Sequence, residues 1–188
     1  MFEGKYFRKG RSCTWNDKSV FDVITPQWPW ELLSLVQLFR DMHPRVAVEI
    51  GTYYGGTLQY WLKNAPAGGM GIALDPEPHH ELENPPDVVF EMLKMYSYDK
   101  GAIAKVREYA PIDFLFIDAD HSYKAVKYDF ETYGPMVAKG GIIALHDICT
   151  QSSGVPQLWR EIREAGYLVQ ELYAAHSLRE GGIGVVHV

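Results

Sequence analysis

Two groups of residues in this 188-residue chain have the makings of reaction chemistry: Asp118, Asp120 and His121 in "IDADH", and His146 with Asp147 in "LHD". An imidazole accepts a proton near neutrality because its unperturbed pKa is about 6.5. Carboxylates such as Asp118 and Asp147 supply the hard oxygens that magnesium or a similar divalent cation prefers. His121 is the first candidate for a base, and His146 either replaces it or orients Asp147. The competing explanation is an acidic rim on which Asp120 or Ser122 caps the following helix. His79 and His80 stand in the proline-rich stretch "DPEPHHELENPPD", where a solvated or lid role is expected, and His43, His176 and His187 have no evident partners.

A second constellation is "VEIGTYYGGTL", Val48 to Leu58. Gly51, Gly55 and Gly56 would make a tight turn, but Tyr53 stands where the middle glycine of a dinucleotide loop lets the backbone approach a pyrophosphate. Glu49, two residues before the turn, would repel phosphate and attract an ammonium or sulfonium group. Such a loop suits a cationic, phosphate-free nucleoside, and S-adenosylmethionine is one. Farther on, "GIALDPEP" puts Asp75 a little beyond the spacing of about 20 residues at which an acid meets ribose hydroxyls. Aromatic faces can line a pocket for adenine or a flat substrate; Tyr53 and Tyr54 are assigned to the site on that ground, whereas Leu58 and Trp61 at helical spacing belong to the core.

The elements that must position these residues follow from the apolar pattern. "RVAVEIG", "MGIALD", "DVVFEML", "IDFLFID", "GGIIALHD", "YLVQELY" and "GGIGVVHV" are expected strands. "PWELLSLVQLFRDMHP", "GGTLQYWLKNA", "SYDKGAIAKVREYA", "SYKAVKYDFETYGPMVA" and "VPQLWREIREAG" are expected helices, the first bounded by Pro29 and Pro44. Strands apolar on both faces and alternating with helices imply an α/β, Rossmann-like, doubly wound and mostly parallel sheet of seven strands with helices on both faces. The last two strands lack room for a crossover helix, so an antiparallel C-terminal strand is expected. Ligands of such sheets bind beyond the carboxyl ends of the strands, where Glu49, Asp75, Asp118, His121, His146 and Asp147 fall.

The length suits one domain, residues 1–188, with residues 1–28 as an N-terminal cover. A net charge of −6 argues against nucleic acid as a partner. Cys13 and Cys149 form neither a disulfide framework nor a zinc motif, and no apolar run has the length of a signal peptide or a membrane span. A cytoplasmic protein without membrane attachment is the expectation.

The blocks "VEIGTYYGGT", "IALDPEP" and "DFLFIDADHSYKAVKYDFETYGPMVAKGGIIALHDI" together resemble the class I S-adenosylmethionine-dependent methyltransferases. The last block resembles the small macrocin, rhamnosyl and cephalosporin-type O-methyltransferases and, more distantly, the catechol and caffeoyl-CoA enzymes. The resemblance implies that Glu49 and the turn Gly51, Thr52, Tyr53, Tyr54, Gly55, Gly56 and Thr57 hold the methionine part of the cofactor. It places Asp75 on the ribose and Ser97 near the adenine, and makes Asp118 the first metal-binding acid. His146 and Asp147 fall where metal-dependent members carry an acid followed by Asn or Asp, so His146 departs from the pattern while Asp147 keeps one ligand. The activity implied is methyl transfer to a hydroxyl of a small sugar, polyketide-like or phenolic acceptor, assisted by Mg2+ or another divalent cation. Asp118 would serve in catalysis, with His121 or His146 taking the proton. The alternatives are a cofactor-binding accessory protein of the same fold without transfer activity and, less well supported, a nicotinamide-dependent oxidoreductase. A homodimer would supply a missing part of the pocket.

Overall fold

A computed structural model describes residues 27–79, 85–173 and 180–188, together with four two-residue strands that pair as Tyr6–Phe7 with Gly10–Arg11 and Thr14–Trp15 with Lys18–Ser19. Most of the expected N-terminal cover, Cys13, His80 and His176 lie outside the described residues. The main sheet comprises β1 (Val46–Ile50), β2 (Met70–Leu74), β3 (Val89–Leu93), β4 (Ile112–Ile117), β5 (Val137–His146), β6 (Leu168–Leu172) and β7 (Ile183–His187), in the spatial order β6-β7-β5-β4-β1-β2-β3. The five strands from β5 to β3 are mutually parallel. β7 runs antiparallel to both β5 and β6, as the short connection between the last two strands requires.

The two faces of the sheet are covered by different helices: α1 (Pro29–Met42) and α2 (Gly56–Asn64) on one, and α3 (Lys100–Glu108), α4 (Tyr123–Tyr133) and α5 (Val155–Glu164) on the other. Strand alternation sorts the side chains between them. Ala47, Phe114, Phe116 and Ala144 join Leu35, Phe39, Leu58 and Trp61 under α1 and α2, and Val48, Ile50, Leu115, Ile117 and Leu145 join Val106, Val126 and Ile162 on the opposite side. Each large apolar side chain so enclosed contributes about 1.5–3 kcal/mol. Leu58 and Trp61 are core residues, as their spacing predicts.

Local signals set the helix limits. Pro29 occupies the first turn of α1, and the helix ends where His43 turns left-handed at φ 51°. Ser122 caps α4 by accepting from the Ala125 amide at 3.4 Å. β1 has β2 on one side and β4 on the other, so the chain reverses its direction of travel across the sheet between β1 and β4. The carboxyl ends at such a switch point diverge and leave a crevice.

Candidate active site

The crevice begins at the turn between β1 and α2. Gly51 has φ +85°, and a Cβ there would lie 2.3 Å from the Asp118 carbonyl oxygen, so glycine allows β1 to run close against the end of β4. Tyr53 holds a left-handed φ of 48°, which most side chains avoid. Asp75 secures this conformation: its Oδ2 accepts the amides of Thr52 at 3.0 Å and Tyr53 at 2.8 Å, while its Oδ1 accepts the Glu77 amide at 2.9 Å. The Tyr53 carbonyl accepts the His79 amide at 3.0 Å, and the rings of Tyr53, Tyr54 and His79 cluster at the rim.

Glu49 lies elsewhere than a charge facing a ligand would. Alternation turns it with Ala47 toward α2, where it is fully buried and accepts from Thr57 Oγ1 at 3.0 Å and from Trp61 Nε1. Burial pushes its pKa well up, against the lowering effect of those two hydrogen bonds. It fastens the first turns of α2 to β1 from behind the crevice.

At the ends of β4 and β5 four side chains converge. His121 Nε2 stands 3.2 Å from Asp118 Oδ1 and 3.0 Å from Asp147 Oδ2, and His146 Nδ1 stands 3.2 Å from Asp118 Oδ1 and 3.6 Å from Asp147 Oδ1. One donor atom from each lies within 4.8 Å of all the others. Asp147 takes a left-handed φ of 66° and accepts from Thr150 Oγ1 at 2.7 Å. The Gly154 amide donates to the His121 carbonyl at 2.7 Å, tying the loop after β5 to the loop after β4.

These contacts change the protonation expected from sequence. Hydrogen bonds to Asp118 and then Asp147 raise the His121 pKa to about 10, although burial opposes the shift. It therefore carries a proton at neutrality, and the near-neutral titration of a free imidazole does not apply. Burial raises the carboxyl pKa of Asp118, but the His146 charge and hydrogen bonds from both histidines outweigh it and leave the value lowered. Asp147 falls well below the usual carboxylate range for the same reason, with the His121 bond leading the lowering contributions against burial. Burial lowers His146, and Asp118 more than reverses it.

A cavity of about 510 Å³ joins the two constellations. Gly51, Thr52, Tyr53, Tyr54, Gly56, Thr57, Asp75, Ser97, Asp118 and His121 line it, whereas Glu49, Gly55, His146 and Asp147 do not. His121 reaches the cavity with its side chain 43% exposed, and His146 is enclosed behind Asp118 at 9%. Several lining residues, Met95, Tyr96 and Tyr98 among them, escaped the sequence reading, and two of them are polar side chains buried at the wall. Gln27, buried just before α1, donates to Asp118 Oδ2, and no local signal announces it. Asp129 is 2% exposed in α4, and its spacing of three and four residues from the buried Val126 and Tyr133 is the clue that it points inward. Among the described residues, no helix is long and apolar enough to cross a membrane.

A family model described as a methyltransferase domain matches residues 48–148, from β1 through the end of β5. An uncharacterized protein of Acanthamoeba polyphaga mimivirus is 38% identical over 112 residues, covering 53% of this chain and 50% of that protein. Rhamnosyl O-methyltransferase of Mycobacterium tuberculosis is 25% identical over 144 residues, covering 69% of this chain and 53% of that enzyme. The chain thus spans about half the length of these two relatives. In three dimensions the fold is similar to that of the O-methyltransferase from Bacillus cereus solved in complex with SAH, with a TM-score of 0.61 at 19% identity over 90% of this chain and 84% of that one.

Proposed function

Since this chain belongs to the methyltransferase-domain family, we propose that it transfers a methyl group from S-adenosylmethionine to a hydroxyl of a small molecule. The observation that carries the reading is the continuity of one cavity from the Gly51 turn, Asp75 and Ser97 to Asp118 and His121. A cofactor held at the first group would direct its sulfonium methyl toward the second. The acceptor oxygen attacks the methyl carbon in line with the carbon–sulfur bond, the O–CH3 bond forms as the CH3–S bond breaks, and S-adenosylhomocysteine (SAH) leaves with the sulfur electron pair.

The chain's own residues divide the work. Asp75 accepts three amides, two at Oδ2 and one at Oδ1, and keeps one Oδ1 lone-pair site for a ribose hydroxyl. Glu49 serves as a positioning residue behind Thr57 and Trp61. Among the described residues lining the cavity none is Lys or Arg, while Asp75, Asp118, Asp120 and Asp129 are all present. That balance suits a neutral hydroxylated acceptor such as a sugar or a phenol, and it disfavours phosphorylated or carboxylated ones. With no cation on it, His121, the histidine that reaches the cavity, would receive the acceptor's proton once it had lost its own; holding a cation, it would serve as a ligand instead.

Asp118, Asp147, His121 and His146 would hold a divalent cation, since their donor atoms already face one another within 4.8 Å. Two carboxylates suit magnesium, and two imidazoles extend the fit to manganese, iron, cobalt, nickel or zinc. A bound cation would supply polarisation of the acceptor hydroxyl and would compete with the imidazole protons for the same lone pairs.

Calorimetry against S-adenosylmethionine, SAH and NAD tests the cofactor, and methyl incorporation into neutral sugars and phenols with and without added metals tests the transfer. Binding of SAH and methylation of a hydroxyl are expected. Binding of NAD without SAH would sink the reading, and SAH binding with no transfer under any metal would favour the accessory-protein alternative.

A further inference from the structure

The two acids of the four-residue cluster are held in matching ways. His121 Nε2 meets Asp118 at Oδ1 and Asp147 at Oδ2, 3.2 and 3.0 Å away, so those two oxygens face the same point. His146 Nδ1 meets the same Asp118 Oδ1 at 3.2 Å. The other oxygen of each acid accepts from an uncharged donor outside the cluster. Asp118 Oδ2 accepts the side-chain amide of Gln27, a residue 91 positions earlier and 1% exposed. Asp147 Oδ1 accepts the Thr150 hydroxyl at 2.7 Å, and His146 Nδ1, at 3.6 Å, stands beyond hydrogen-bond reach of that oxygen. Each carboxylate thus turns one oxygen toward the histidines and has the other occupied. The two donors are themselves braced. Thr150 Oγ1 accepts the Gly181 amide at 2.7 Å, which fixes the direction of its own proton. The next amide, of Gly182, donates to Glu31 Oε2 at 3.0 Å, on the first turn of α1 that Gln27 precedes. The turn before β7 therefore joins the segment carrying one donor to the segment carrying the other. Asp147 keeps its place with a left-handed φ of 66°, a conformation sustained by the contacts around it.

Resting on the divalent-cation reading above, we propose that Gln27 and Thr150 are positioning residues that make Asp118 and Asp147 one-oxygen ligands and so select a small divalent cation against calcium. Calcium takes about six to eight oxygens and commonly both oxygens of one carboxylate. To do so here it would have to break the Gln27 bond to Asp118 Oδ2 and the Thr150 bond to Asp147 Oδ1. A smaller cation such as manganese needs fewer donors and can use Asp118 Oδ1, Asp147 Oδ2 and the imidazole nitrogens while both outer hydrogen bonds stay made. Neither Gln27 nor Thr150 would touch the cation; each acts through the acid that it holds.

The test compares binding of Mn2+ and Ca2+ to the full chain by calorimetry, with the paramagnetic signal of free Mn2+ as a second readout and no turnover required. The unaltered protein is expected to bind Mn2+ at least about tenfold more tightly than Ca2+. Thr150→Val and Gln27→Met keep the shape of the side chain and remove the donor. Each should weaken Mn2+ by about tenfold or more without weakening Ca2+, so the preference shrinks. Thr150→Ser, which retains the hydroxyl, should keep it. Residues that merely support the fold would leave the ratio of the two affinities in Thr150→Val and Gln27→Met where the unaltered protein has it, and that result would overturn the proposal. Ca2+ bound as tightly as Mn2+ by the unaltered protein would overturn it without any variant, so the proposal stays open to refutation where a variant fails to fold. If the unaltered protein binds neither metal, the cation reading falls and the proposal with it, and SAH calorimetry on the same preparation then decides separately whether the methyltransferase reading stands.

Discussion

At the β4–β5 end of the cavity, Asp118, Asp147, His121 and His146 compensate one another's charge through contacts of 3.0–3.6 Å. At α4, on the same cavity wall, Asp129 is more deeply buried and has one oxygen with no partner. In the first, His121 carries a proton between two carboxylates and His146 lies against Asp118 with its buried Nε2 unpartnered among the described residues, so a cation entering there must displace a proton. The second is a single carboxylate that no ion pair reaches among the described residues. The contrast separates a cluster whose charges face one another from a buried carboxylate that stands outside such a network. It also makes the two regions respond differently to mutation.

The largest effect is expected from Asp118→Ala, because Asp118 meets His121, His146 and Gln27 together. Removing one member of a buried charge network costs about 3 kcal/mol or more, and activity should fall by at least about 100-fold. Urea denaturation and methyl transfer measured on the same preparation check both. Lost activity with unchanged stability would mean that the four charges do not hold one another as described.

Gly51→Ala comes next and attacks the junction between the regions. The new Cβ would meet the Asp118 backbone at 2.3 Å in a left-handed conformation, so β1 and β4 must separate. The left-handed conformation alone costs about 1–2 kcal/mol, and SAH affinity should fall by about tenfold or more, 1.4 kcal/mol being one factor of ten. Affinity retained within twofold would show that the turn can shift without disturbing the cofactor end.

His121→Gln tests the charge-compensated region by pH. The His121 pKa rises from an unfolded value of about 6.5 to about 10 in the fold. The folded state therefore binds more protons in that window, and the stabilisation, complete below about pH 6.5, is lost as pH rises toward 10. Asp118 and Asp147 act at the other limit: their lowered values stabilise above the ordinary carboxylate range, and this is lost on acidification. Denaturation midpoints in EDTA should decline from neutral to alkaline pH in the unaltered protein and decline less in His121→Gln. Parallel declines would remove His121 as the source.

Much of this organisation is legible in the sequence because it depends on local pattern. Seven strands and five helices form where the apolar runs put them, except that Val137 and Ala138, expected at the end of α4, already belong to β5, and the strand ends deliver Asp75, Asp118, His146 and Asp147 to one rim. The order β6-β7-β5-β4-β1-β2-β3 is not local, since it depends on which strands meet after long connections. Direction was the harder inference at Glu49. Its alternation with Ala47 points it at α2, where Trp61 donates to it, a direction that its place beside a glycine turn does not announce. The protonation of His121 was out of reach because it depends on two distances across a loop. Asp129 was hidden by its type, an aspartate in a helix being ordinarily solvated.

Tyr53→Gly should have the smallest effect, and it sharpens the view of the cofactor end. Glycine relieves a left-handed φ of 48°, worth about 1 kcal/mol, and loses about 0.5–1 kcal/mol in unfolded-chain entropy. The ring is 52% exposed, so little burial is lost, and stability should move by less than about 1 kcal/mol. The substitution restores the glycine that a dinucleotide loop would carry, and NAD binding would appear if the tyrosine ring were what keeps pyrophosphate away. The structure places a second barrier there: the Thr52 and Tyr53 amides, which would cradle a phosphate, are already bonded to Asp75 Oδ2. Tyr53→Gly alone is therefore expected to leave NAD unbound. Asp75→Asn combined with it, which removes the negative charge from that slot, is the variant in which calorimetry should first detect a weak dinucleotide signal. NAD binding by the single variant would assign the exclusion to the ring and not to the carboxylate.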